Sequence, residues 1–364
     1  MSKVSIKRLR KEFGSGDDTT VAVDDISLTI GEGEFATLVG PSGCGKTTTL
    51  RCVAGLETPT AGEIWIGDEE VTDLPPQERG IALLFQNVAL YHHMTVMDNI
   101  AYGLKINGVP KAERHEQARE AAELLQIEEL LDAKPPEISG GQQQRVALGR
   151  SIVRDPDLFL FDEPMSNLDE KLKRELRPVI QRVTRQVGCP VLYVTHDQEE
   201  AMTLSDQIAV MNHGELEQVG PPKEVYNDPD SEFVSSFIGR PTTQFFDATL
   251  RANHDALNLD LGQNVEVSLP MSSEQLNGYV GSRVRTGIRP QNIEVVSNGR
   301  DGIAATHVLD EPLGDATHSF FETDFGELVA VTPPDFEGGR EEYHLDPNPE
   351  EILLFDHETG ERIA

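Results

Sequence analysis

The sequence predicts a mostly parallel α/β sheet covered by helices, followed by a small all-β domain. Three observations predict it. Short β-rich runs alternate with longer helix-like segments through the first two thirds of the 364 residues. Gly220-Pro-Pro and the turn-rich Asn227-Asp-Pro-Asp then punctuate the chain. From about Pro241 the runs become short, broken by Gly, Asn and Asp, with little helical periodicity. The expected domains are 1–239 and 240–364.

In chain order, Phe35-Ala-Thr-Leu-Val39, Ile81-Ala-Leu-Leu-Phe85, Leu158-Phe-Leu-Phe161 and Val191-Leu-Tyr-Val194 read as buried strands. Between the second and third lies a helical insert at about 87–155. Its clearest piece is an amphipathic helix over Lys111 to Leu131, where Ala118, Ala121, Ala122 and Leu125 recur at helical spacing. In the last third, Val265-Glu-Val-Ser-Leu269, Val308-Leu-Asp and Leu328-Val-Ala-Val331 are expected as strands.

Composition narrows the function classes. No stretch approaches the roughly 18 to 20 uninterrupted apolar residues of a membrane helix, and the opening Met-Ser-Lys-Val-Ser-Ile-Lys-Arg lacks a signal-peptide core, so a cytosolic location is expected. Cys44, Cys52 and Cys189 are too few and scattered for a disulfide framework or metal cluster. With 63 acidic against 31 basic residues the formal net charge is −32, which disfavours nucleic acid as a partner. No lysine follows Lys223, and the acidic excess runs over both halves. That distribution points to adaptation to a salt-rich cytosol, where screening removes self-repulsion.

The chemistry starts at Gly40, Pro41, Ser42, Gly43, Cys44, Gly45, Lys46 and Thr47, between a predicted strand and the helical run opening at Thr48. Glycines at these spacings let successive backbone N–H groups converge on a phosphate, and the helix N-terminus adds positive potential. Lys46 would neutralise β and γ oxygens, and the Thr47 hydroxyl would hold Mg²⁺. Chance would produce the pattern in about one chain of this length in a hundred, so a merely structural turn is a poor competitor. Cys44 fills a free position as a spacer whose thiol could make the loop sensitive to alkylation. Leu158-Phe-Leu-Phe ends in Asp162-Glu163 at the edge of a sheet where ligands collect. There Asp162 would orient hydrated Mg²⁺ and Glu163 would polarise the attacking water, although such carboxylates also cap helices. Ile138-Ser139-Gly140-Gly141-Gln142 reads as a serine-capped helix start able to hold a phosphate end-on.

At these residues the chain resembles the ABC transporter ATPases, whose signature motif usually begins with Leu where this chain has Ile138. The resemblance implies further roles. Gln86 resembles the Q-loop glutamine that touches Mg²⁺ and lytic water. Ser166-Asn-Leu-Asp169 resembles the D-loop, and His196 the switch histidine at the γ-phosphate. Each alone could be a strand-end amide, a helix cap or a core histidine; six elements in one order are not. Phe13 stands where the family places an aromatic under adenine, a position also suited to ordinary packing. The family implies ATP and Mg²⁺ as cofactors and a homodimer or heterodimer of ATPase subunits, with Ser139 and Gly141 serving ATP in trans.

Beyond Pro221 the likeness narrows. Pro222-Lys-Glu-Val-Tyr226 to Gly239 looks like the closing segment of import ATPases. Gly287-Ile-Arg-Pro-Gln291, Glu311-Pro-Leu-Gly314 and Leu354-Phe-Asp-His-Glu-Thr-Gly360 are similar to the OB-type regulatory domain of maltose-type sugar importers. The resemblance implies a peripheral protein on the cytoplasmic face of the membrane. Its partners would be permease subunits and, indirectly, an extracytoplasmic solute-binding protein. Ala89 to Val96 should meet the permease, with His92 where relatives commonly have proline. Importers of iron, polyamines or sulfate carry similar β domains and remain alternatives, as does a non-transport ABC ATPase. The latter usually shows two nucleotide-binding units or a long coiled coil, and this chain shows one unit with a short insert. An OB module for single-stranded nucleic acid needs basic surface, and from Arg240 onward there are 8 basic and 23 acidic residues.

Overall fold

A computed structural model describes residues 3–86, 89–253, 256–262, 265–272, 276, 278–297, 302–339 and 342–364. The chain forms two compact units, 1–224 and 225–364.

In the first unit, β1 (Val4–Phe13), β2 (Thr20–Ile30) and β3 (Phe35–Val39) precede α1 (Lys46–Val53). Then come β4 (Ala61–Ile66), β5 (Glu69–Glu70), β6 (Ile81–Leu84), α2 (Val96–Ile100), α3 (Tyr102–Ile106), α4 (Lys111–Leu124) and α5 (Gly140–Ile152). The remainder is β7 (Leu158–Asp162), α6 (Glu170–Val187), β8 (Val191–Thr195), α7 (Gln198–Leu204), β9 (Gln207–Asn212) and β10 (Glu215–Gly220). The larger sheet runs β10-β9-β3-β8-β7-β6, parallel except for the β9–β10 pair. A smaller antiparallel sheet runs β2-β1-β4-β5.

Strands β7 and β8 read as continuous apolar runs because both faces of the sheet are covered. Side chains alternate between the two sides. Leu158, Leu160, Leu192 and Val194 join the core shared with Ile6, Ile26 and Ile64 of the smaller sheet. Phe159, Phe161 and Tyr193 face the other way, with Val146 of α5 and Val179, Ile180 and Val183 of α6. The predicted helix over Lys111 to Leu131 ends earlier, at Leu124. Gln126 takes a left-handed φ of 57°, which breaks the ladder, and Glu128–Leu130 form a separate 3₁₀ turn. Asn87 and Val88, at the expected start of the helical insert, lie outside the described residues.

The second unit takes in 225–239, which the sequence reading gave to the first domain. The buried Arg289 guanidinium explains the assignment: it lies 3.8 Å over the Tyr226 ring and donates to the carbonyls of Tyr226 and, at 2.9 Å, Ile238. After α8 (Pro222–Asn227) and α9 (Glu232–Phe237) come β11 (Gln244–Asn253), β12 (Ala256–Gly262), β13 (Val265–Ser272), β14 (Arg283–Ile288), β15 (Ile293–Ser297), β16 (Ile303–Pro312), β17 (Thr317–Thr323), β18 (Gly326–Thr332), β19 (Glu342–Pro347) and β20 (Leu353–Asp356). They form two antiparallel five-stranded sheets, β13-β12-β11-β14-β20 and β15-β19-β16-β17-β18, around one core containing Leu250, Leu259, Phe321 and Leu345.

Candidate functional site

Strand β3 delivers the chain to Gly40 at the C-terminal edge of the parallel sheet. A Cβ on Gly40 would lie 2.2 Å from the Met211 carbonyl oxygen. Gly45, with φ +103°, would place one 2.4 Å from the Ala22 carbonyl oxygen while capping α1, so neither position has room for a side chain. Lys46 is 5% exposed, and its ammonium donates to the carbonyls of Gly40 at 2.8 Å and Pro41 at 2.9 Å, with Cys44 Sγ at 3.6 Å. Ser42 and Gly43 form the exposed crown of the loop. An ammonium whose partners among the described residues are two carbonyls and a thiol is ready to exchange those oxygens for phosphate.

Parallel pairing sets Asp162 of β7 opposite Val194 of β8, so the residues after each strand emerge side by side. Burial pushes the Asp162 carboxyl above its ordinary range, and the neighbouring Glu163 adds to this. Arg51 and a hydrogen bond with Thr47 oppose the rise. Glu163 turns the chain out of the strand with φ +44°. That strained turn is pinned by the Glu163 N–H donating to the Val194 carbonyl at 3.0 Å and by Ser166 Oγ donating to the Glu163 carbonyl at 3.0 Å. The turn sets Glu163 Oε2 3.1 Å from Nδ1 of His196, whose side chain is 56% exposed. Thr47, Asp162, Glu163 and His196 thus share one place.

The other predicted residues adjoin it or stand apart. Gln86 stands just beyond the end of β6, after Phe85, and its carbonyl accepts from Asn167 Nδ2 at 3.5 Å, joining the Q-loop and D-loop segments. Asp169 caps α6 by accepting the Leu172 N–H at 2.9 Å. Ser139 and Gln142 cap α5 reciprocally: Ser139 Oγ accepts the Gln142 N–H at 3.3 Å, and Gln142 Oε1 accepts the Ser139 N–H at 2.8 Å. A Cβ on Gly141 would stand 3.1 Å from Leu172, so the starts of α5 and α6 approach closely there. Ser139 and Gly140 are exposed. Phe13, 41% exposed at the end of β1, carries Lys11 Nζ 4.7 Å over its ring.

Arg51, Lys173, Asp197 and Glu200 are not singled out by the sequence. Contacts that tie them to the site, such as Lys173 to Asp197 across 24 residues, span separations that no spacing rule reveals. A groove of about 570 Å³ opens beside the Q-loop segment, lined in part by Phe85, Ala89, Tyr91, Tyr102, Ile106 and Arg150. The Arg150 guanidinium lies 5.0 Å over the Tyr91 ring and donates to the Ala89 carbonyl.

Comparison with known proteins agrees with this geometry. The family model described as ABC transporter matches residues 23–166. The sulfoquinovosyl glycerol transport ATP-binding protein SmoE of Agrobacterium fabrum is 44% identical over 364 residues, covering 100% of both chains. The sn-glycerol-3-phosphate import ATP-binding protein UgpC of Escherichia coli is 45% identical over 361 residues, covering 98% of this chain and 99% of its own. Among solved structures, a dimeric bacterial ABC transporter cassette matches with a TM-score of 0.54 and 30% identity, over 60% of this chain and 98% of that one. A post-hydrolysis dimer bound to ADP and Pi matches with a TM-score of 0.53 and 31% identity, with the same coverage. The chain belongs to the ABC transporter family, among its ATP-binding subunits.

Proposed function

We propose that this chain hydrolyses ATP to drive uptake of a carbohydrate-type solute through a membrane importer. The convergence of Thr47 and Asp162 with the Glu163–His196 pair carries this reading. Lys46 and the backbone of Gly40 to Thr48 hold the triphosphate, Phe13 stacks on adenine, and Glu163 takes a proton from the attacking water. His196 and Gln86 orient the γ-phosphate and that water. The hydrogen-bonded Thr47 hydroxyl and Asp162 carboxylate are hard oxygen donors, few in number, which suits Mg²⁺. When bound, the ion would neutralise charge developing on the phosphate oxygens.

Ser139 and Gly140 are exposed at a helix start with Gly141 and Gln142 behind them, an arrangement suited to the γ-phosphate of a second ATPase subunit, with Asp169 nearby. No helix among the described residues is long and apolar enough to cross a membrane. The reading places the chain against its cytoplasmic face through a permease helix seated in the groove beside Tyr91 and Arg150. The second unit serves as an OB-type regulatory or dimerisation domain. The solutes in the relatives' names, a glycerol phosphate and a sugar-bearing glycerol, favour a glycoside or polyol phosphate as cargo.

The test is co-purification with permease subunits, followed by ATPase assays in proteoliposomes with candidate solute-binding proteins. Several-fold stimulation by a glycoside or polyol phosphate is expected. Failure to co-purify with any membrane subunit would overturn the importer reading, and stimulation by iron or polyamine alone would overturn the solute class.

A further inference from the structure

Beneath the exposed His196 lies a polar network that the proposed chemistry does not use. Glu200, on α7, is 2% exposed, and its Oε2 accepts two hydroxyl protons, from Tyr193 at 2.7 Å and Thr195 at 2.8 Å. The Thr195 hydroxyl in turn accepts the Asp197 N–H at 2.9 Å. The single hydroxyl proton of Thr195 is therefore committed to Glu200. Asp197 caps α7 through the N–H groups of Glu199 and Glu200, and its Oδ2 receives Lys173 Nζ at 3.0 Å. Lys173 also reaches Glu170 at 3.2 Å and Glu200 at 4.0 Å, and Arg177 pairs with Glu199 at 3.1 Å. The residues on either side of His196 are thus both gripped: Thr195 by a buried carboxylate, Asp197 by a cation from α6. The histidine itself has its side chain in the open, with Glu163 as its hydrogen-bond partner.

We infer that Glu200 is a positioning residue for His196. It fixes the Thr195-His196-Asp197 turn through the Thr195 hydroxyl, so that the imidazole meets Glu163, and Lys173 carries that turn's position to the helix opened by Asp169. The inference rests on the reading of His196 and Glu163 given above. A turn held from one side only would let the imidazole swing, and displacement of an orienting group by about 1 Å costs on the order of a hundredfold in rate. Tyr193 and Thr195 both donate to the one oxygen Oε2, which a glutamine carbonyl can replace, whereas Glu200→Leu removes the acceptor of both.

The experiment is a double-mutant cycle on the full chain, with kcat and KM for ATP measured alongside Tm. Glu200→Leu should lower kcat about tenfold to a hundredfold, with KM little changed. In the His196→Ala background the same substitution should change kcat less than twofold, because a group that acts through His196 has nothing left to position. Thr195→Val should reproduce the loss and Thr195→Ser should restore it, which decides the matter even where Glu200→Leu fails to fold. Equal losses in both backgrounds, or a Thr195→Val enzyme with unchanged kcat, would overturn the inference alone. Wild-type hydrolysis by His196→Ala would overturn the reading of the site, and this inference with it.

Discussion

His196 Nδ1 stands 3.1 Å from Glu163 Oε2, so two neighbouring parallel strands end in a carboxylate and an imidazole that address the same point. Register brings them near: with Asp162 opposite Val194, Glu163 leaves β7 one residue later and His196 follows Thr195 at the end of β8, so both emerge at the same sheet edge.

Glu163→Gln should reduce hydrolysis at least about a hundredfold while ATP affinity holds, because the amide keeps the shape of the carboxylate and loses its basicity. Phosphate release together with equilibrium nucleotide binding measures both. A Glu163→Gln protein that hydrolyses at the normal rate would remove Glu163 from the chemistry.

Arg79 is 4% exposed and donates to the carbonyls of Leu74, Cys52, Val53 and Thr72, two of which close the last turns of α1. Burial holds its pKa below the usual arginine value, yet four acceptors leave no replacement for the cation. Arg79→Met should destabilise the first unit by about 3 kcal/mol, since orphaned buried acceptors are costly. Urea unfolding reads this directly, and an unchanged midpoint would show that the helix end finds other donors.

Burial pushes the Asp197 carboxyl upward, but the hydrogen bond and charge of Lys173 outweigh it and hold the group below its ordinary 3.8. A depressed folded pKa means the unfolded chain takes up the proton first. Its contribution is therefore complete above the unfolded value and is lost as pH falls through the folded one. Lys173→Met should lower stability at neutral pH and flatten the loss of stability below about pH 4. Acid titrations followed by circular dichroism test the sign: an equally steep acid limb would dissociate Asp197 from Lys173.

A chain carrying −32 formal charges should gain stability with salt if its acidity serves a saline cytosol. Tm is expected to rise by several degrees between dilute buffer and molar KCl. Identical melting in both would end the salt-adaptation proposal.

The phosphate loop and the Asp162–Glu163 strand end were legible because their signals are local: apolar runs, glycines and a carboxylate at a strand edge. The end of the fourth helix was less so, since Gln126 turns left-handed within an apolar periodicity that continues past it. The sequence predicts a domain boundary at 239, while the structure gives 225–239 to the second unit. Helical residues there resemble what precedes them, and what ties them to the β sheets is Arg289, about fifty residues on. The Glu200 network stayed hidden for a related reason. Its carboxylate, hydroxyls and ammonium converge from α7, β8 and α6, and an ordinary-looking Glu-Glu pair gives no hint that one of its members is buried.

The outward-facing cap of Ser139 and Gln142 has a genetic corollary on the composite-site reading. Suppose one cell makes two defective versions of this chain, one Lys46→Ala and the other Ser139→Arg. In a mixed pair both lesions fall on the same ATP site, and the opposite site is assembled wholly from undamaged parts. Two alleles that are each silent alone would then restore transport together, as complementation within a single gene.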